Sequence, residues 1–133
     1  MGVRISPENS FNDMHDSDPQ TLFNFVAEEL SPKMLGYLHV VEGGFAGEHS
    51  VDYEQIRERF EGNYMANLGY DLEKAQAAIA GGHADLVSFG TLFLANPDLV
   101  ARFKAKAPLN TPDQATFYGG DEHGYTDYPF MNG

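Results

Sequence analysis

The apolar positions of this chain recur in two alternating rhythms. Short runs of β-branched and aromatic residues at 3–6 (VRIS), 37–42 (YLHVVE), 63–67 (NYMAN) and 85–89 (DLVSF) read as strands. Between the first two, Leu22, Phe23, Val26, Ala27 and Leu30 recur at helical spacing and form an apolar core stripe, with Ser17 or Asp18 as cap and Pro32 beyond the end. Ile56 and Phe60, four apart, mark a short helix over 53–60. Asp71 caps an alanine-rich helix over 72–80 that stops at Gly81-Gly82, and Asn96-Pro97-Asp98 opens the last helix, over 99–106. Residues 8–19 are polar and broken by proline, and 43–50 carry glycine, so both read as loops.

A strand followed by a helix, four times over, predicts a parallel α/β sheet, because parallel neighbours need a crossover between them. Four such units are half of a (β/α)8 TIM barrel, whose eight units take about 250 residues. An open four-stranded sheet is the alternative, but it leaves no element to cover either edge. The chain is therefore expected to be one domain over 1–133, with the four units over 1–107 and an extended aromatic tail over 108–133. Phe117, Tyr118, Tyr125, Tyr128 and Phe130 make that tail too apolar to leave in water. Open edges and an uncovered sheet face imply completion by oligomerisation, most simply as a two-fold homodimer.

Composition narrows the functions. Eight Lys and Arg against 20 Asp and Glu give a net charge of −12, and the basic residues, scattered from Arg4 to Lys106, form no cluster. Nucleic acid and anionic membrane are thus poor partners. The absence of cysteine excludes disulfides, thiolate metal sites and a cysteine nucleophile. No apolar run approaches the roughly 20 residues of a membrane span and the N-terminus has no signal-peptide core, so a cytoplasmic protein is expected.

Two stretches carry the chemistry. At 61–71 (EGNYMANLGYD) and 84–102 (ADLVSFGTLFLANPDLVAR), an apolar run ends in a glycine turn and then opens a helix, as phosphate sites do. Ordinary turn chemistry competes with that reading, since glycine serves such turns without a ligand. His39, inside a strand, reads as a hydrogen-bonded interior residue. His15, His49, His83 and His123 show no metal-ligand spacing and read as surface residues. Glu42 has no partner visible in the sequence, and Asp71 is accounted for as a cap.

The segments GVRISP, YLHVVE, GYDLEKA, FGTLFLANPDLVAR, TFYGG and GYTDYP, in this order and spacing, resemble the old yellow enzyme family of FMN-dependent alkene reductases, the branch that includes N-ethylmaleimide reductase. The resemblance runs along essentially the whole chain and corresponds to strands five to eight of the family's barrel and the tail after them. It implies FMN as cofactor, NAD(P)H as reductant, and activated alkenes or nitro compounds as substrates. By the same resemblance Arg4 lies beside the flavin's pyrimidine edge. Asn67, Leu68 and Gly69 form one phosphate turn, and Gly90 with Thr91 forms the other. Tyr118 lies near flavin and substrate, and Phe11 beside the active site. Two departures stand out: Thr91 replaces the family's usual arginine, and Leu68 stands where glycine is usual. Losing a bidentate, charge-assisted phosphate contact costs on the order of 1.5–3 kcal/mol, so weak FMN binding is expected. The family's substrate-binding histidine pair, or histidine and asparagine, its tyrosine proton donor and its flavin-tuning threonine match no residue here, so no catalytic residue is assigned. Two readings follow. One is the flavin-binding half of an ene-reductase, completed by a complementary N-terminal half-barrel chain or a longer parent. The other is a non-catalytic half-barrel that pairs with its own copy.

Overall fold

The computed structural model describes residues 1–44, 47 and 49–131, with Asn12 described by its backbone alone. Part of the glycine-bearing loop expected at 43–50 therefore lies outside the described residues. The chain divides into two compact units, Met1–Ser88 and the segment from Phe89 onward.

The first unit holds four strands, β1 (Gly2–Ile5), β2 (Tyr37–Val41), β3 (Tyr64–Asn67) and β4 (Leu86–Val87), paired in sequence order and all parallel. Helices α1 (Pro19–Leu30), α2 (Tyr53–Arg59) and α3 (Leu72–Ala80) make the crossovers. Each starts on an aspartate whose side chain accepts backbone N–H groups: Asp18 from Thr21, Asp52 from Glu54 and Gln55, and Asp71 from Lys74. α3 stops where expected, with Gly82 rather than Gly81 taking the left-handed conformation, at φ 77°.

Strand alternation sorts the sheet into two faces. Leu38, Val40, Tyr64 and Ala66 are fully buried and pack with Ala27, Ile56 and Phe60, joined by the partly covered Val3 and Ile5. The intervening positions, Arg4, His39, Met65 and Leu86, lie in register as one row across the other face and are partly or fully exposed. The α1 stripe is core only in part, since Ala27 is buried but Leu22 is exposed. Its neighbours are polar: Gln20 holds the Asp52 backbone and Asn24 bonds Gln55, so α1 meets α2 through amides at that end.

The second unit carries α4 (Thr91–Ala95) and α5 (Leu99–Ala105) and then the tail. α4 appears where the sequence suggested only a short apolar connection. The tail is ordered by polar anchors rather than by buried rings, which corrects the expectation for its aromatics. Tyr118, Tyr125 and Phe130 are exposed, and only Phe117 and Tyr128 are partly covered. The buried Arg102 reaches Asp98 at 2.7 Å, the Pro108 carbonyl at 2.7 Å and the Pro129 carbonyl at 2.8 Å. The Met131 N–H donates to the other Asp98 oxygen, and buried Asn96 accepts the Asn110 N–H. Burial of rings is optional when one guanidinium satisfies two distant carbonyls.

Hydrogen bonds from Arg102 and from the Met131 N–H hold the Asp98 carboxyl below its ordinary value of 3.8. A depressed carboxyl contributes stability that is complete above its unfolded value and is lost as pH falls through the folded one. Near-ultraviolet circular dichroism of the tail tyrosines should therefore change below about pH 4. Asp98→Asn should already show the released spectrum at pH 7 and lack that acid step; an unchanged acid step in the variant would contradict this role for Asp98.

Candidate functional site

Parallel pairing brings every strand's C-terminal end to one edge of the sheet, and of the residues read from the sequence as ligand contacts, Asn67 with Leu68 and Gly69 stands there. Arg4, in β1, is exposed and pairs in register with His39. Asn67 ends β3, in register with Val41, and its side-chain amide donates to the Ser88 carbonyl at 3.0 Å. Arg4 and Asn67 are thus two strands and two residues apart, about 10 Å across and 7 Å along the sheet. That separation suits two ends of one elongated ligand rather than a single bound group. His39 is hydrogen-bonded as expected, its Nε2 2.7 Å from Ser88 Oγ. Burial and the Arg4 cation push its imidazole below the ordinary 6.5, so it is neutral at pH 7.

Leu68 and Gly69 follow Asn67 with φ of 91° and 71°. For glycine this is free, whereas a leucine there is strained. In the second unit Gly90 precedes α4 at φ −88° and Thr91 is the first residue of that helix. α4 has five residues, so what its start offers is a few N–H groups rather than a macrodipole. A β-carbon built at Gly69 or Gly90 meets no atom within 4 Å. At Gly90 neither backbone angle nor crowding demands glycine. Tyr118 and Phe11 are both exposed, Phe11 in a short 3-10 turn over Phe11–Asp13.

No partner for Glu42 is visible in the sequence, and the structure corrects this. Its side chain, 8% exposed, follows β2, and Oε1 accepts from the Tyr64 hydroxyl at 2.8 Å and His83 Nε2 at 2.7 Å. Oε2 accepts from the Tyr70 hydroxyl at 2.6 Å. Facing a carboxylate, His83 Nε2 must carry the proton. Burial first, then the Glu42 carboxylate, push the Tyr64 and Tyr70 hydroxyls well above their ordinary range, so both remain donors. A second node adjoins it: the Tyr53 hydroxyl accepts the Gly43 N–H and donates to Glu8, both at 2.6 Å. With every Glu42 oxygen occupied, the cluster clamps the loops after β2 and β3 and is not a free acid or base. The visible signal was position: Glu42 directly ends the YLHVVE run, where parallel sheets place their site residues. Beside it runs a cleft of about 400 Å³, whose lining includes Leu68, Gly69, Tyr70, Lys74 and His83.

Known proteins match this arrangement. The sequence profile of the NADH:flavin oxidoreductase / NADH oxidase family matches residues 1–110. The chain belongs to this family. Among its curated relatives, the probable flavin mononucleotide-dependent alkene reductase of Leishmania infantum is 47% identical over 98% of this chain and 36% of that protein. The 12-oxophytodienoate reductase 1 of Oryza sativa is 44% identical over 98% of the chain and 36% of that protein. Of solved structures, the old yellow enzyme from Trypanosoma cruzi superposes with a TM-score of 0.93 at 39% identity, over 98% of this chain and 35% of that one. Morphinone reductase gives 0.88 at 42% identity, over 98% and 36%. The α/β fold with its parallel sheet thus matches a segment of a TIM-barrel enzyme, and the chain spans about a third of the length of the relatives it matches.

The family is FMN-dependent, and each unit carries residues that fit part of a flavin: in the first, the Gly69 turn has open space beside it for a phosphate and the exposed Arg4 guanidinium suits the other end of an elongated cofactor; in the second, the Gly90 turn also has open space and is followed by the Thr91 hydroxyl. Leu68 is the misfit, a branched side chain at a backbone angle that glycine prefers. Leu68→Gly is expected to leave stability unchanged or raise it by up to about 1 kcal/mol in urea unfolding. A loss well beyond 1 kcal/mol would show that leucine packing, not backbone strain, governs this turn.

Proposed function

We propose that this chain is the FMN-holding part of an NAD(P)H-dependent ene-reductase of old yellow enzyme type, equivalent to barrel strands five to eight. The observation that carries this reading is the family match over residues 1–110 together with the open glycine turn after β3 and the Arg4 guanidinium on the same edge. The chemistry that FMN supplies when bound is hydride acceptance from the nicotinamide and hydride delivery to an activated alkene or nitro compound. This chain's part is to bind and orient. Arg4 would place a fixed positive charge beside the pyrimidine edge, where negative charge gathers on reduction. In the first unit the backbone at Asn67, Leu68 and Gly69 would hold the phosphate and Phe11 would border the substrate; in the second, Gly90 and Thr91 match the family's other phosphate turn and Tyr118 its tyrosine near flavin and substrate.

Completion of the barrel belongs to the same proposal. The exposed row of Arg4, His39, Met65 and Leu86 is the face that a closed barrel would cover, so activity requires the remaining strands, supplied by a complementary chain, by a longer parent or by a second copy. A second reading, a self-associating half-barrel without catalysis, is favoured by the strained Leu68 and by Thr91 in place of arginine. A cytoplasmic location fits both; among the described residues no helix is long and apolar enough to cross a membrane.

The two readings separate in one preparation. Purified protein should carry or take up FMN with a flavin absorbance band approaching one per chain. Mixed with the complementary part of a relative, it should then oxidise NADPH in the presence of an activated alkene. Colourless protein that runs as a dimer by light scattering and takes up no FMN would establish the second reading and overturn the first.

A further inference from the structure

The arginine that usually neutralises the phosphate in this family is Thr91 here, yet a phosphate dianion held by N–H groups alone in a chain of net charge −12 is left without a counter-cation. The first unit offers a substitute. Lys74, in the first turn of α3, is exposed and lines the 400 Å³ cleft together with Leu68 and Gly69. Among the described residues its ammonium donates only to a carbonyl, that of Gly69, at a long 3.4 Å. The other cations of the helical layer are committed, Arg57 to Asp85 at 2.9 Å and Arg59 to Glu28 at 3.0 Å. Of the carboxylates around it, Glu42 lines the same cleft and Asp71 caps the same helix. Asp71 accepts the Lys74 backbone N–H, and Glu42 accepts from Tyr64, Tyr70 and His83.

We propose that Lys74 is the cation of the phosphate turn, taking over the charge that Thr91 no longer provides. The long contact to Gly69 keeps the ammonium at the turn without engaging it strongly, so it can swing toward an oxyanion placed against the Gly69 N–H face. A flexible lysine gives a point charge in place of a bidentate fork, so the site retains affinity but loses geometric restraint. This inference rests on the flavin reading above and adds to it the residue that discriminates the phosphorylated from the unphosphorylated cofactor.

The test compares FMN with riboflavin, which lacks the phosphate, by flavin fluorescence titration of the full chain and of Lys74→Gln and Lys74→Arg. Wild type should prefer FMN to riboflavin. Lys74→Gln should weaken FMN about tenfold while leaving riboflavin unchanged, and Lys74→Arg should restore FMN binding. Raising salt should erode the FMN preference in wild type and have little effect in Lys74→Gln. If wild type binds both flavins equally, or Lys74→Gln keeps the FMN preference, the assignment of Lys74 is wrong while the flavin reading stands. If wild type binds neither, the flavin reading falls and this inference with it.

Discussion

Parallel strand pairing is the constraint from which the rest of this molecule follows. A parallel neighbour cannot be reached by a tight turn, so each of β1 to β4 is separated from the next by a helical crossover, and all four C-terminal ends emerge at one edge. The same crossovers bury one face of the sheet, through Leu38, Val40, Tyr64 and Ala66, and leave the row of Arg4, His39, Met65 and Leu86 uncovered by these helices. One geometric rule therefore sets both where the strand-end loops gather and which face the helices leave uncovered. It also explains why chemistry concentrates in the loops, since only the loop residues after a strand can vary without disturbing the ladder.

Within that frame, two polar nodes fix the loops. Glu42 gathers Tyr64, Tyr70 and His83, tying the end of β2 to residues on and after β3 and before β4. In the second unit Arg102 gathers Asp98, Pro108 and Pro129, so a tail with little regular structure is held at both of its ends. Both nodes place a charge out of water, which is tolerable because each carboxylate oxygen of Glu42 and each guanidinium nitrogen of Arg102 has a partner. The nodes hold structure, and the groups that the flavin reading uses lie outside them: Arg4 and Lys74 are exposed, and the Gly69 turn has open space beside it.

Element positions were readable because they rest on local signals. Aspartate caps at 18 and 71, the glycine stop at 81–82 and alternation in YLHVVE each act within a few residues. β4 was read as 85–89 but pairs only as Leu86–Val87, because its end is decided by its neighbour β3 and not by its own apolar run. The Glu42 node was illegible for the same reason: its three donors lie 22, 28 and 41 residues away. The tail misled in the opposite sense, since ring content suggested burial while Arg102, reaching across 27 residues, supplies the order. Arg4, Asn67, Leu68, Gly69, Gly90 and Thr91 were located through motif resemblance, and the structure adds what motif alone could not give, the positive φ at Leu68 and the open space around Gly69 and Gly90.

In the flavin reading, the turns at 68–70 and 90–92 hold the phosphate end of the cofactor. Amide hydrogen exchange with and without FMN measures this most directly. Added FMN should slow exchange at the N–H groups of 68–70 and 90–92 while leaving the buried ladder of β2 and the amides around Arg102 unchanged. Protection confined to other regions, or no change at those two turns at an FMN concentration that saturates the protein, would contradict it.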